Sequence, residues 1–356
     1  MHNVFENKSL LITGGTGSLG KVLVRHLLEG RSGCPSKIRI LSRDEAKQHY
    51  MRVEYQNLQN PTDEIIYDNF KKLLEFRIGD VRDYGSVVSC LRDVDIVINA
   101  AALKQVPTCE YFPTEATLTN ILGAHNVARA IREHDFPVTT VVGVTTDKAC
   151  KPINAMGMTK ALQERVFIAA NLDSPRTRYI CVRYGNVLAS RGSVIPLFHH
   201  QIRSGGAVTI TTEDMTRFLL PLEHAVFTIA TAVARALPGE TYIPKIPAAT
   251  VVNIAKALIG DRDTPIKVIG IRPGEKIHEM MISEEEGLRS YDRGDFYAIK
   301  PMLPELVVPE DAAPRGRAYS SNDDLMDLAA TRALLEKHGL LVEQVESFGA
   351  DGELLR

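Results

Sequence analysis

The sequence predicts an α/β fold, a doubly wound parallel sheet with a smaller region appended toward the C-terminus. Three observations carry that expectation. Short apolar runs alternate with amphipathic helical stretches through the first half of the chain. A glycine-rich turn, Gly14 to Gly20, stands between the first apolar run and the first helical pattern. The rhythm breaks after Asn186, where Gly192, Pro196, Gly205-Gly206 and Pro221 punctuate shorter elements.

Taken in order, Ser9–Thr13 reads as the first strand, Leu19–Leu28 as the first helix and Lys37–Ser42 as the second strand. A long polar helical stretch, Asp44–Lys72, precedes the third strand, Leu74–Gly79. Asp95–Asn99, Val138–Val144 and Tyr179–Tyr184 read as strands four to six. These bounds imply a nucleotide-binding domain over residues 1–188, completed by a helix, His224–Leu237, within about 224–245. A substrate-binding region is expected over 189–223 and 246–345, with helices at Thr250–Ile259 and Glu275–Ser283. Residues 346–356 are expected to form a flexible tail.

The bulk numbers narrow the function classes. With 356 residues the chain has room for one nucleotide-binding domain and a smaller partner region. A formal net charge of −2 gives no global field for nucleic acid or an anionic membrane, so an anionic ligand must be held by a few local Arg or Lys residues. No stretch approaches the ~20 apolar residues needed to span a bilayer. The N-terminal MHNVFENKSLLITGG has an acidic residue before its apolar run and leads into the glycine turn, which reads as a strand rather than a leader. The five cysteines, Cys34, Cys90, Cys109, Cys150 and Cys181, are odd in number and form no CxxC pair. Reduced thiols in a cytoplasmic protein are expected. His199-His200, the only adjacent histidine pair, lies in an apolar stretch, so no metal site is expected.

The glycines of Thr13-Gly14-Gly15-Thr16-Gly17-Ser18-Leu19-Gly20 are spaced G-x-x-G-x-x-G. Gly14 permits a tight turn off the strand, Gly17 lets backbone amides approach a pyrophosphate, and Gly20 allows close helix–strand packing. Thr16, Ser18 and Leu19 complete this Rossmann-like cradle. The spacing resembles the fingerprint of short-chain dehydrogenases/reductases. The second strand ends Leu41-Ser42-Arg43-Asp44. Ser42 and Arg43 suit a 2′-phosphate and favour NADP. The alternative leaves Arg43 solvated and gives the ribose to Asp44, as in an NAD enzyme. The resemblance also implies Asp80, with Val81, near the adenine amine, and Ala100 and Ala101 as small residues against the cofactor. Simple packing is the alternative for both.

The most informative stretch runs from Thr145-Thr146-Asp147-Lys148-Ala149-Cys150 through Pro152-Ile153-Asn154-Ala155-Met156-Gly157-Met158-Thr159-Lys160. It begins at the carboxyl end of strand five, where open α/β sheets bind ligands. Thr-Asp-Lys-Ala, Pro-x-Asn and Met-Gly-x-Thr-Lys together resemble the UDP-N-acetylglucosamine 4,6-dehydratase family of surface-polysaccharide biosynthesis. Supporting segments are Ser42-Arg43-Asp44-Glu45, Ala102-Leu103-Lys104-Gln105-Val106-Pro107, Arg183-Tyr184-Gly185-Asn186-Val187, Gly192-Ser193-Val194-Ile195-Pro196, Met215-Thr216-Arg217-Phe218 and Arg272-Pro273-Gly274-Glu275-Lys276. The likeness runs from about residue 5 to 345.

Most of the wider superfamily uses Tyr-x-x-x-Lys, in which the lysine bonds the nicotinamide ribose and the tyrosine takes the hydroxyl proton. Here Lys160 is in place and the tyrosine position is Met156, which transfers no proton. Part of the dehydratase family is similar in this respect. The resemblance then implies Asp147 as the proton acceptor and Lys148, its amine pKa depressed by burial and neighbouring cations, as the base at carbon 5. Thr146 would hydrogen-bond the sugar at carbon 4. Lys104, Asn186, Arg217, Arg272 and Glu275 would hold the nucleotide sugar, Arg being suited to a diphosphate by its two-pronged donor.

The expected protein is a soluble, NADP-dependent UDP-N-acetylglucosamine 4,6-dehydratase, similar to members that also invert carbon 5, and a homo-oligomer. The rivals are a UDP-sugar 4-epimerase and an NADP-sensing protein that has lost its chemistry.

Overall fold

The structure, a computed structural model, describes residues 3–56, 64–188 and 193–345. Gly192 and the expected tail at 346–356 lie outside the described residues.

Six strands form a parallel array: β1 Ser9–Thr13, β2 Lys37–Ser42, β3 Leu74–Ile78, β4 Ile96–Asn99, β5 Thr140–Thr146 and β6 Arg178–Tyr184. Their order is β3-β2-β1-β4-β5-β6, so the winding reverses between β1 and β4. Thr241–Pro244 continues the sheet parallel to β6. Phe296–Ile299 and Ser290–Asp292 then close that edge in antiparallel fashion, giving nine strands. The sequence reading found the six parallel strands and missed these three.

The central strands are continuous apolar runs because both faces of the sheet are covered. Successive side chains point to opposite faces. Leu10 and Ile12 of β1, Ile38 and Ile40 of β2, and Ile96 and Ile98 of β4 fall in one apolar cluster. Leu11, Leu41 and Val97, one step out of phase, fall in a second with Val127, Ile131 and Phe167 of the opposite helices. Each such side chain, fully buried, contributes roughly 1.5–3 kcal/mol. A third cluster unites Phe198, Ile254, Leu258 and Leu335, contributed by the helices Val194–Arg203, Val251–Ile259 and Leu328–Lys337.

Two local expectations need correction. The fifth strand runs on to Thr146, so Thr145 and Thr146 belong to the strand rather than the loop. The expected helix over Glu275–Ser283 is absent. Its second half, Met280–Ile282, pairs antiparallel with Tyr319–Ser320, and the Thr216 N–H donates to the Ile277 carbonyl. Gly274, at φ +80°, turns the chain sharply just before it. Tertiary pairing has overridden a helical pattern of Ile277, Met280 and Met281.

Among the described residues no helix is long and apolar enough to cross a membrane, and no group of three His, Cys, Asp or Glu residues could hold a metal ion. All five cysteines are free, with Cys34 exposed and the others buried.

Candidate active site

A cleft of about 790 Å³ opens at the carboxyl ends of the parallel strands. Its wall at the switch point is built by glycine. Gly14 sits at φ +69°, and a Cβ there would stand 2.8 Å from the backbone nitrogen and Cα of Ala101. β1 and the end of β4 are locked beside it. The Thr13 hydroxyl donates to Asn99 at 2.9 Å and accepts the Ala101 N–H at 3.2 Å. The helix Ser18–Leu28 then starts with Gly17 as its N-cap and no side-chain cap, so its first amides face an anion-attracting end. Gly17, Ser18, Leu19, Gly20 and Ala100 line this part of the cleft.

The far end of that wall bears on cofactor choice. The Thr16 and Ser42 hydroxyls are 2.9 Å apart. Arg43 is 57% exposed and lies 3.7 Å from Asp80, whose carboxylate also accepts from Arg82 Nε at 2.8 Å. Burial pushes the Asp80 carboxyl up, but the hydrogen bonds and charge of Arg82, with Arg43 further off, outweigh it and hold the group below its usual range. Asp80 is therefore a carboxylate with two arginines, and Val81 packs behind it.

On the floor, β5 delivers Thr145 and Thr146 and a short 3-10 turn delivers Asp147 and Lys148. The Thr146 hydroxyl donates to Asp147 Oδ1 at 2.7 Å, and Lys148 Nζ donates to the same oxygen at 3.2 Å. Asp147 is wholly buried, and its Oδ2 has no hydrogen-bond partner. Burial raises the Asp147 carboxyl pKa, an effect that Lys148 opposes only in part. Lys148 corrects the expectation of a depressed amine. Desolvation pulls it down, but Asp147 and Glu279, 3.2 Å away on its other side, push it above its ordinary value.

The depressed amine is Lys160 instead. It lies in the helix Ala155–Asp173, donates to the Val144 carbonyl and to Gln163 Oε1 at 2.6 Å each, and is lowered by burial to about 8. That helix is capped by Asn154, which accepts the Gly157 N–H at 2.8 Å. Gly157 lets the helix meet the turn that carries Asp147 and Lys148, since a Cβ there would stand 2.3 Å from the Lys148 carbonyl oxygen. Met156 is 4% exposed among Cys109, Ala116 and Leu103, and still lines the cleft. Asn120 braces this corner by donating to the Leu103 carbonyl and the Thr159 hydroxyl and accepting the Leu103 N–H. It belongs to a π-helical turn, Thr117–Leu122, a feature frequent at functional sites.

The remaining sequence-predicted residues line the opposite side. Lys104, Asn186, Arg217, Arg272 and Glu275 all border the same cleft. Asn186 Oδ1 is buried and has no partner. Arg217 Nη1 donates to the Thr216 and Ile277 carbonyls, and its Nε lies 3.9 Å from Glu279. Glu275 sits next to Arg272 and accepts its N–H at 3.4 Å. The structure thus gathers every predicted residue into one cleft. It adds Glu279 and Lys276 to the lining, with Asn120, Gln163 and Gly157 bracing it. Gly157 and Lys276 stand in motifs that the sequence singles out without giving them a role, and the signal for Glu279, its place four residues after Glu275, is hidden by reading that stretch as a helix.

Comparison with known proteins follows this geometry. A family model described as polysaccharide biosynthesis protein matches residues 10–301. The UDP-glucose 4-epimerase of Rickettsia conorii is 48% identical over 301 residues, 83% of this chain and 84% of that protein. The protein of the same name from Rickettsia bellii is 46% identical over the same shares. Among solved structures, Pen from Bacillus thuringiensis aligns with a TM-score of 0.83 and 32% identity, over 95% of this chain and 99% of its own. DesIV, a dTDP-glucose 4,6-dehydratase of Streptomyces venezuelae with NAD and TYD bound, aligns with a TM-score of 0.63 at 21% identity, over 76% and 86%. That last likeness speaks for the fold.

Proposed function

The chain belongs to the polysaccharide biosynthesis protein family of extended short-chain dehydrogenases/reductases, and on that footing we propose that it is an NADP-dependent UDP-N-acetylglucosamine 4,6-dehydratase. One observation carries the reading. Two proton-handling side chains, Asp147 and Lys148, sit together on the cleft floor, while the usual tyrosine position holds Met156. Interconverting two epimers at carbon 4 needs a single proton acceptor at that hydroxyl. Dehydration needs a second, at carbon 5.

The cleft wall fits a nicotinamide dinucleotide. The Gly14 turn leaves a space that a Cβ would fill, and an uncapped helix N-terminus stands beside it. Ser42 and Arg43 supply a hydroxyl and a charge where a 2′-phosphate would lie, which favours NADP. When bound, the dinucleotide supplies the hydride acceptor and donor.

The chain's own groups do the rest. Asp147 takes the carbon 4 hydroxyl proton, with Oδ2 available because Thr146 and Lys148 both occupy Oδ1. The raised Asp147 carboxyl suits a group that must hold a proton and return it to the leaving carbon 6 hydroxyl. Lys148 removes the acidified carbon 5 proton in its neutral form, which becomes more accessible once Asp147 has taken a proton and no longer holds the ammonium by its charge. Lys160, fixed by its hydrogen bond to the Val144 carbonyl, would hold the cofactor ribose. Arg217, Arg272 and Asn186 grip the diphosphate side.

A UDP-sugar 4-epimerase is the second reading, favoured by the Rickettsia relatives, which are named UDP-glucose 4-epimerase. Deuterated water separates the two, because a dehydratase labels carbon 5 and releases water while a 4-epimerase does neither.

A further inference from the structure

Glu279 has no role in the reading above, yet it is the best-placed carboxylate in the cleft. It is 2% exposed and lines the cavity. Its backbone is fixed at both ends: the N–H donates to the Ser321 hydroxyl at 2.9 Å and the carbonyl accepts the Ser321 N–H at 2.8 Å. Its Oε1 lies 3.2 Å from Lys148 Nζ and 3.9 Å from Arg217 Nε, while Oε2 is buried without a partner. A buried carboxylate is costly unless paired, so a residue kept only for packing would not leave an oxygen unsatisfied here.

The surrounding contacts give this placement a direction. The segment from Arg272 to Glu279 touches the stretch from Lys148 to Asn154 three times. The Gly274 carbonyl accepts from Asn154 at 2.9 Å, Lys276 Nζ donates to the Cys150 carbonyl at 2.6 Å, and Glu279 pairs with Lys148. We propose that Glu279 is a positioning residue for Lys148, clamping its amine between two carboxylates and joining the arm that carries Arg272 to the proton-transferring turn. The inference rests on the reading of Lys148 as the carbon 5 base.

The charged groups that face the pair are few. Lys148 meets Asp147 from its own turn, Glu279 from the arm and Arg217 from the strand Thr216–Phe218. Glu279 meets Lys148, Arg217 and Lys276, and its charge also reaches Asp147, whose carboxyl it helps to raise. Burial favours a neutral Glu279, but those three cations outweigh it and keep the carboxyl below its usual range. Glu279 therefore stays charged and stabilises the ammonium form of Lys148. Removing its charge makes the neutral, base-competent amine available at lower pH.

The test is competitive labelling of Lys148 by acetic anhydride across pH, read by mass spectrometry on the holoenzyme, beside the pH profile of turnover. Glu279→Gln should bring the onset of Lys148 labelling down by about one pH unit, the low end of what a nearby opposite charge does to a pKa. The acidic limb of kcat should move the same way, with KM close to wild type. Glu279→Asp draws the carboxylate back by one methylene and should give a smaller shift in the same direction. If Glu279→Gln fails to fold, that smaller shift or its absence decides. An unmoved labelling profile overturns the proposal. Labelling reads Lys148 whatever product is released, so a shifted profile with a carbon 4 epimer as product would sink the dehydratase and leave Glu279 in place. Dehydration with an unmoved profile would do the reverse.

Discussion

Arg183 and Glu286 face each other as a two-pronged pair, with Nη1 and Nη2 of the guanidinium each donating to one carboxylate oxygen at 2.9 Å. The pair is buried and joins β6 to the start of the short helix Glu284–Gly287. Glu164 takes the other side of Arg183 at 2.7 Å and also accepts from Thr145, two residues before Asp147. Burial alone would raise the Glu286 carboxyl, but the charge and hydrogen bonds of Arg183, with the Ser283 N–H, bring it down to about 2. A carboxyl depressed on folding adds stability above its unfolded value, near 4.5, and that stability is lost as pH falls through about 2. The shift corresponds to about 3 kcal/mol. Glu286→Gln should lose about 3–5 kcal/mol near neutral pH, because it leaves a buried arginine half-paired. It should also flatten the fall in stability between about pH 4.5 and 2. Urea unfolding at a series of pH values reads both effects, and equal slopes in the two proteins would count against the pair.

The proton relay makes a sharper contrast. Asp147→Asn keeps the shape of the side chain and removes its ability to take a proton. Turnover should fall on the order of 10²–10⁴-fold with substrate binding largely intact. Met156→Ala should cost much less, because methionine contributes only the packing it makes with Cys109 and Ala116. Steady-state kinetics on both variants checks the order, and a larger loss in Met156→Ala would overturn the assignment.

Cofactor choice turns on Arg43. Its guanidinium is exposed and only loosely tied to Asp80 at 3.7 Å, so it is available to a 2′-phosphate. Arg43→Ala should weaken NADP by roughly 1–3 kcal/mol, the scale of one charged hydrogen bond, and barely alter NAD. Calorimetric titration of the stripped protein with each dinucleotide measures the difference. Equal affinity of the wild type for both would remove the case for NADP.

These sites differ in how far the sequence reveals them. The central strands of the parallel sheet were legible because burial on both faces concentrates apolar residues in them, as in Ser9–Thr13, where every side chain is buried. Ser9–Thr13 and Lys37–Ser42 were placed to the residue. Asp147, Lys148 and Lys160 were legible because they lie close together in one chain segment. Glu279 was not, since its partner lies far back in the sequence and its own segment mimics helical spacing before pairing with Tyr319–Ser320. The error over Lys148 has the same origin. Lys160, the cation expected to depress it, was visible in the sequence, while the second carboxylate that holds it protonated was not. Strand pairing and charge pairing between distant segments are tertiary facts, and local pattern carries neither.

The reaction itself gives the decisive prediction. A dehydratase returns its hydride to the molecule it came from, so no added NADPH is consumed and none accumulates. On the proposed reading Lys148 removes the proton from carbon 5 and that position is refilled from exchangeable protons. In deuterated water the product should carry deuterium at carbon 5. The hydrogen that migrates from carbon 4 never meets solvent and should arrive at carbon 6 undiluted. Lys148→Ala should abolish loss of water and carbon 5 labelling together. A 4-epimerase would keep the carbon 6 hydroxyl and leave carbon 5 unlabelled, and a sensor protein would bind the dinucleotide and leave the sugar unchanged. Proton NMR of UDP-N-acetylglucosamine incubated with the holoenzyme in deuterated water distinguishes all three. The L-arabino product is expected if carbon 5 is refilled on the face opposite to the one it lost. A wild-type enzyme that releases the carbon 4 epimer with its carbon 6 hydroxyl intact would refute the dehydratase, because the two-group floor of Asp147 and Lys148 would then have no second proton to move.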